Sequence, residues 1–209
     1  MKRLFRLSTA VWFVLLLAIL LLFVYPTLRR GWYDLTTLKH RQYIEFWMTH
    51  PAASINPEAW ESARIDLSAA SEACPEVAQF KIDLAQLSYT QAMRVWAIPV
   101  LRDAYLRNAL PEVRKAMQQR VVAGNIAAML VQIKAYTGVV DEEFARALDR
   151  ALRNSPNDPS VIASLLDSLW QTYPLLKPAQ RKILNELRER MLMIDPVRLG
   201  QIAASHPTY

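Results

Sequence analysis

From Leu7 to Leu28 the chain carries no charged side chain. Lys2, Arg3 and Arg6 close that segment on one side, and Arg29 and Arg30 on the other. Wound as a helix, it reaches roughly 33 Å, enough to cross a hydrocarbon core of about 30 Å. A soluble core helix is a poor reading, because a helix apolar on every face and fenced by arginine suits lipid better. A cleaved secretion signal has an apolar region of about 7–15 residues that ends in small side chains. Here the run is longer and ends in Tyr25-Pro26-Thr27-Leu28-Arg29-Arg30, so the segment reads as an uncleaved anchor spanning Leu7 to Leu28. Trp12 and Tyr25 lie near its two ends, where amphipathic rings favour the headgroup layer. Pro26 is expected in its last turn, where a missing backbone donor costs little.

Orientation follows the distribution of Lys and Arg on the two flanks. Lys2, Arg3 and Arg6 stand against Arg29, Arg30, Lys39 and Arg41. A short, densely basic N-terminal stub stays in the cytoplasm, which in a bacterial-type cell places the anchor in the inner membrane and the body in the periplasm. Arg29-Arg30 pull the other way.

Removing residues 1–30 changes what the composition means. The chain is +6 overall, but residues 31–209 carry 20 basic against 19 acidic side chains. The basic character belongs to the membrane flanks, so the inference from a basic protein to a nucleic-acid partner does not apply. A body of that length can bury one core. Cys74 is the only cysteine, so no internal disulfide is available, and beside Pro75 among small and apolar residues it reads as a buried small hydrophobe.

Gly occurs only four times, and no alternating β-branched run is present, so hairpins have little to build on. Every periodic signal is helical. A helix follows the anchor from about Trp32 to Thr49 and stops at His50-Pro51. Asn56-Pro57-Glu58 supplies a cap, a first-position proline and a first-turn acid for a helix to about Cys74. Further helices are expected over 76–96, 100–108, 111–137, 142–154, 159–173 and 178–194, with a short one after Pro196. The fold class is all-α. Its parts are a basic stub at 1–6, the anchor at 7–28, a juxtamembrane helix and connector at 29–56, and a helical domain at 57–209.

The spacing of small residues and prolines adds detail. Ala63, Leu67, Ala70 and Pro75 resemble the second-helix pattern of tetratricopeptide repeats, as do Leu148, Ala151, Leu152 and Pro156 before Asn157-Asp158-Pro159. Ile162, Leu165, Leu166 and Leu169 then look like the stripe of a following first helix, and Met191-Leu192 before Pro196 repeats the ending. The resemblance implies antiparallel helix pairs that meet at alanine and end at proline, stacked into a surface that binds another protein. The chain departs from the family in lacking the first-helix Trp and the Leu-Gly step, in placing Phe144 where a small residue is usual, and in the unequal intervals between Pro75, Pro156 and Pro196. An irregular helical bundle is the alternative.

"VVAGNIAAMLVQI", Val121 to Ile133, is too short to span a bilayer and apolar all round, which predicts a central buried helix. Ala123, Gly124, Ala127 and Ala128 would let neighbouring backbones approach; a partner-docking face is the competing reading.

No residue constellation identifies a reaction. His40, His50 and His206 are far apart and no cysteine pair exists, so no metal ligands are assigned. Glycine-rich phosphate cradles are missing, so no cofactor is assigned. Glu61-Ser62 is similar to the catalytic Glu-Ser of lytic transglycosylases, but the motifs that build their sugar groove are missing, and Glu61 reads as a solvated helix residue. Glu186, Arg188, Glu189 and Arg190 read as an exposed face. No catalytic, cofactor-binding or metal-binding residue is therefore named. The expected function is non-catalytic: a single-pass envelope scaffold or assembly factor that binds other proteins, or alternatively an accessory subunit of a larger membrane complex.

Overall fold

The computed structural model describes residues 2–50, 53–120 and 122–206, with side chains from Val11 onward. Among these residues all regular structure is helical. The helices are α1 Lys2–Thr49, α2 Pro57–Ala73, α3 Ala78–Arg94, α4 Pro99–Gln119, α5 Gly124–Tyr136, α6 Glu142–Asn154, α7 Pro159–Gln171, α8 Pro178–Ile194 and α9 Pro196–Ala204, with a 3-10 turn at Tyr173–Leu175. The protein is all-α.

α1 unites what the sequence divides. Its 48 residues extend about 72 Å, and the apolar part from Val11 is long enough to cross a membrane and contains no buried residue. Pro26 lies inside the helix rather than in a last turn. Its ring removes one backbone donor, yet the helix continues because its far end is held by packing. Thr37, His40, Ile44 and Trp47 recur at helical spacing and are buried. Ile44 and Trp47 share a core with Ala63, Leu67 and Ala70 of α2 and Phe80 and Leu87 of α3. The terminus is capped from α3: Arg94 donates to the carbonyls of Trp47 (3.0 Å) and His50 (2.9 Å), and also to that of Ala53. A cation on the last carbonyls offsets the negative end of the helix dipole.

Helix starts follow their caps. Asn56 accepts from the backbone of Glu58 at 2.8 Å, Asp141 from Phe144 at 2.9 Å and Asp158 from Ser160 at 2.9 Å, each satisfying an otherwise unpaired first-turn donor. Two boundaries differ from expectation. α4 begins at Pro99 and runs through Pro111, because Leu106, Ala109, Val113 and Ala116 form one buried stripe on both sides of that proline; packing outweighs the local cost. α4 and α5 are then separate helices, parted after Gln119.

That break places α5 centrally. Ile126, Ala127, Ala128, Leu130, Val131 and Ile133 are buried, whereas Val122 is exposed and Val121 lies outside the described residues. α5 packs on α4, α6 and α7; α7 also packs on α8 and α9, while α1 packs on α2 and α3, α2 on α3, and α3 on α4. At Gly124 a methyl group would lie 2.7 Å from Ser155 Cβ and 3.1 Å from the Ala151 carbonyl oxygen, so glycine is what permits the α5–α6 approach. Gly138, at φ 71°, ends α5 in the left-handed conformation, its N–H bonding the Ala135 carbonyl at 3.0 Å.

Ala151 is fully buried at the same crossing. Ala151→Leu is expected to destabilise residues 31–209 by about 1–3 kcal/mol through overpacking. Arg153, exposed and paired with Asp149 at 2.6 Å, is the control: Arg153→Leu should change stability by no more than about 0.5 kcal/mol. Urea midpoints measure both.

Candidate functional site

α6 presents two faces. Phe144, Ala147, Leu148 and Ala151 point into the core, and Arg146, Arg150 and Arg153 recur on another side. With Arg114 and Met117 of α4 and Leu130 of α5, they line a groove of about 830 Å³. Leu130 and Ala147, both buried, form its floor, and four arginines stand against Glu143 and Asp149 in the lining.

One wall is a charge network. Arg114 grips Glu143 through two bonds of 2.7 and 2.6 Å. Lys134, almost completely buried on α5, reaches Asp141 at 2.5 Å and Glu143 at 2.8 Å. The Arg114 hydrogen bonds, helped by Lys134 and opposed by partial burial, hold the Glu143 carboxyl down from 4.5 to about 2. A carboxyl depressed this way contributes stability above its ordinary value, and that contribution is lost as pH falls through about 2. Acid unfolding of residues 31–209 should therefore include a component between these limits that Glu143→Gln removes; an unchanged acid limb would contradict it.

The rim is more open. Arg146 and Arg153 have side chains 72% and 71% exposed, with partners Glu142 at 3.3 Å and Asp149 at 2.6 Å. Arg150 donates to the Met117 carbonyl at 3.1 Å. Exposed pairs of this kind contribute little individually, so their carboxylates can be exchanged at small cost. Among the described residues, no hydroxyl, thiol or imidazole lines the groove.

The other sequence candidates lie apart from it. Glu61 pairs with Arg64 at 2.5 Å, and this hydrogen bond lowers its pKa, the opposite of what a catalytic acid needs. Cys74 is buried, and Glu186, Arg188, Glu189 and Arg190 are exposed on α8. His40 bonds Asp66 at 2.7 Å, His50 stacks on Phe46 and His206 bonds Asp167 at 2.9 Å. Asp167 also accepts from Tyr136, whose ring stacks on Tyr89 at 6.2 Å. Burial pushes both phenols above their usual range. This cluster joins α3, α5, α7 and the segment after α9.

The groove was only half legible in the sequence. The spacing of Arg146, Arg150 and Arg153 marks one face of α6, but nothing local aligns Arg114 with it. The chain matches no family model, no curated protein and no solved structure.

Proposed function

We propose that this protein is a non-catalytic, single-pass membrane scaffold or assembly factor whose helical body binds another protein. The carrying observation is the continuity of α1: the apolar stretch from Val11 and the body's first packed helix are one element, its end locked by Ile44, Trp47 and the Arg94 cap. A body fixed this way holds its binding surface at a set height and angle above a bilayer. In this reading the anchor lies in a bacterial-type inner membrane, with the N-terminus cytoplasmic and the body periplasmic.

The same reading takes the body as a short stack of tetratricopeptide-like helix pairs, α1 with α2, α3 with α4, α5 with α6 and α7 with α8. Its support is the packing order, in which α1 contacts α2 and α3, α5 contacts α6 and α7, and α7 contacts α8 and α9. Each pair's first helix thus touches its own partner, α1 and α5 also touch the next pair, and α7 touches the single helix that follows. Ala63, Leu67, Ala70, Leu148, Ala151 and Met191 are buried, as helix crossings of that type require.

The α4–α6 groove is the proposed contact site, and an acidic segment its ligand. A photo-crosslinking residue at Arg146 or Arg153 in native membranes should give one discrete protein adduct that Arg150→Glu abolishes. The same residue at exposed Arg188 on α8 is the control. Adducts identical at all three positions, or none at the groove, would refute the site. Reporter fusions at the C-terminus test the side: active alkaline phosphatase supports export, and fluorescent green fluorescent protein contradicts it.

A further inference from the structure

Outside its apolar stretch, α1 uses only one face to hold the body. On the other side Trp32 and Leu35 are 66% and 72% exposed, and Phe46 is 47% exposed. With Leu28, Lys39 and Gln42 these residues fall at alternating steps of four and three, the spacing of a left-handed helix–helix seam. Continued inward, the same steps meet Tyr25, Leu21, Ala18, Val14 and Val11, so the stripe passes unbroken out of the apolar segment.

We infer that this stripe is a parallel homodimer interface, in which α1 of one copy pairs with α1 of a second. The inference rests on the anchor reading, because insertion sets every copy at the same depth and direction and brings identical stripes level with one another. Within lipid, apolar contact alone gives no hydrophobic drive, and small residues such as Ala18 favour approach. Beyond it, burying Trp32, Leu35 and Phe46 removes apolar surface from water.

The flanks fit a second copy. In a parallel pair, Leu38 lies beside Tyr43 of the other copy, and both are exposed apolar side chains. Glu45 lies beside His50 of the other copy, an acid against a base rather than two like charges. The seam's single cation, Lys39, is drawn toward Asp66 of its own α2 at 3.9 Å, which turns the charge aside and leaves its aliphatic stem in the seam. The body is carried on a different face by Thr37, His40, Ile44 and Trp47, and α2 flanks the seam, where Trp32, Leu35 and Lys39 line a groove with Asp66 and Ala69.

The test uses the full chain in native membranes, with buried Cys74 retained throughout. After an alkaline carbonate wash, membranes carrying Leu35→Cys or Gln42→Cys are oxidised beside the off-seam controls Thr27→Cys and Met48→Cys. A disulfide-linked species of twice the chain mass, several-fold more abundant at the seam positions, is the expected result. Adding Trp32→Glu to Gln42→Cys should reduce that species several-fold. Equal yields at all four positions, no dimer, or seam cysteines joined only to a different protein would overturn the homodimer while leaving the anchor intact. Release of the chain by the wash would overturn both.

Discussion

Phe144→Ala should destabilise residues 31–209 by about 3–5 kcal/mol, the largest loss expected from a single core truncation in this protein. Phe144 is fully buried in the first turn of α6, and its ring belongs to the core shared by α3 to α8. The substitution leaves the cap intact, because Asp141 bonds the backbone N–H of residue 144 and not its side chain. Its cost is therefore the lost burial of the ring and the cavity it leaves, and helix content should survive while the urea midpoint falls. Phe144→Leu, which refills most of the space, should recover most of the loss. A truncation costing less than about 1 kcal/mol would mean that α6 does not close the core as described.

Arg41→Met should cost a comparable amount, about 3–5 kcal/mol, because it strands a buried charge. Asp83 on α3 is almost completely buried and accepts from Arg41 at 2.6 Å and from Gln79 at 2.8 Å. Burial pushes the Asp83 carboxyl above its ordinary pKa, with Arg41 and Gln79 opposing that rise. Removing Arg41 raises it further. A carboxyl whose folded pKa exceeds its unfolded value costs stability as it ionises, so the variant's deficit should shrink as pH falls and Asp83 takes up a proton. Asp83→Asn in the Arg41→Met background should likewise restore part of the loss at neutral pH. A deficit independent of pH, with no rescue by Asp83→Asn, would show that Arg41 acts through packing over the Phe80 ring, 5.3 Å away.

These two sites also show where the sequence was readable. Glu142–Asn154 and Pro178–Ile194 form with the expected ends, since a cap or a proline writes a helix start into neighbouring residues. Local signals failed where distant contacts decide. Pro26 and Pro111 look like boundaries, but each lies in a helix whose downstream half is held by tertiary packing. The break before Gly124 was hidden in an apolar run, and the close approach of Ser155 and Ala151 that requires glycine there comes from a helix away. The Arg114–Glu143–Lys134 network was equally hidden, as it draws one member from each of α4, α6 and α5.

The central claim is that one uninterrupted helix both anchors the chain and enters the body's core. The most direct measurement is the intact mass of the protein recovered from carbonate-washed membranes. The account predicts the full 24.0 kDa chain, remaining in the membrane pellet until detergent is added. A shorter product beginning after Leu28, or a full-length chain freed by carbonate, would contradict it.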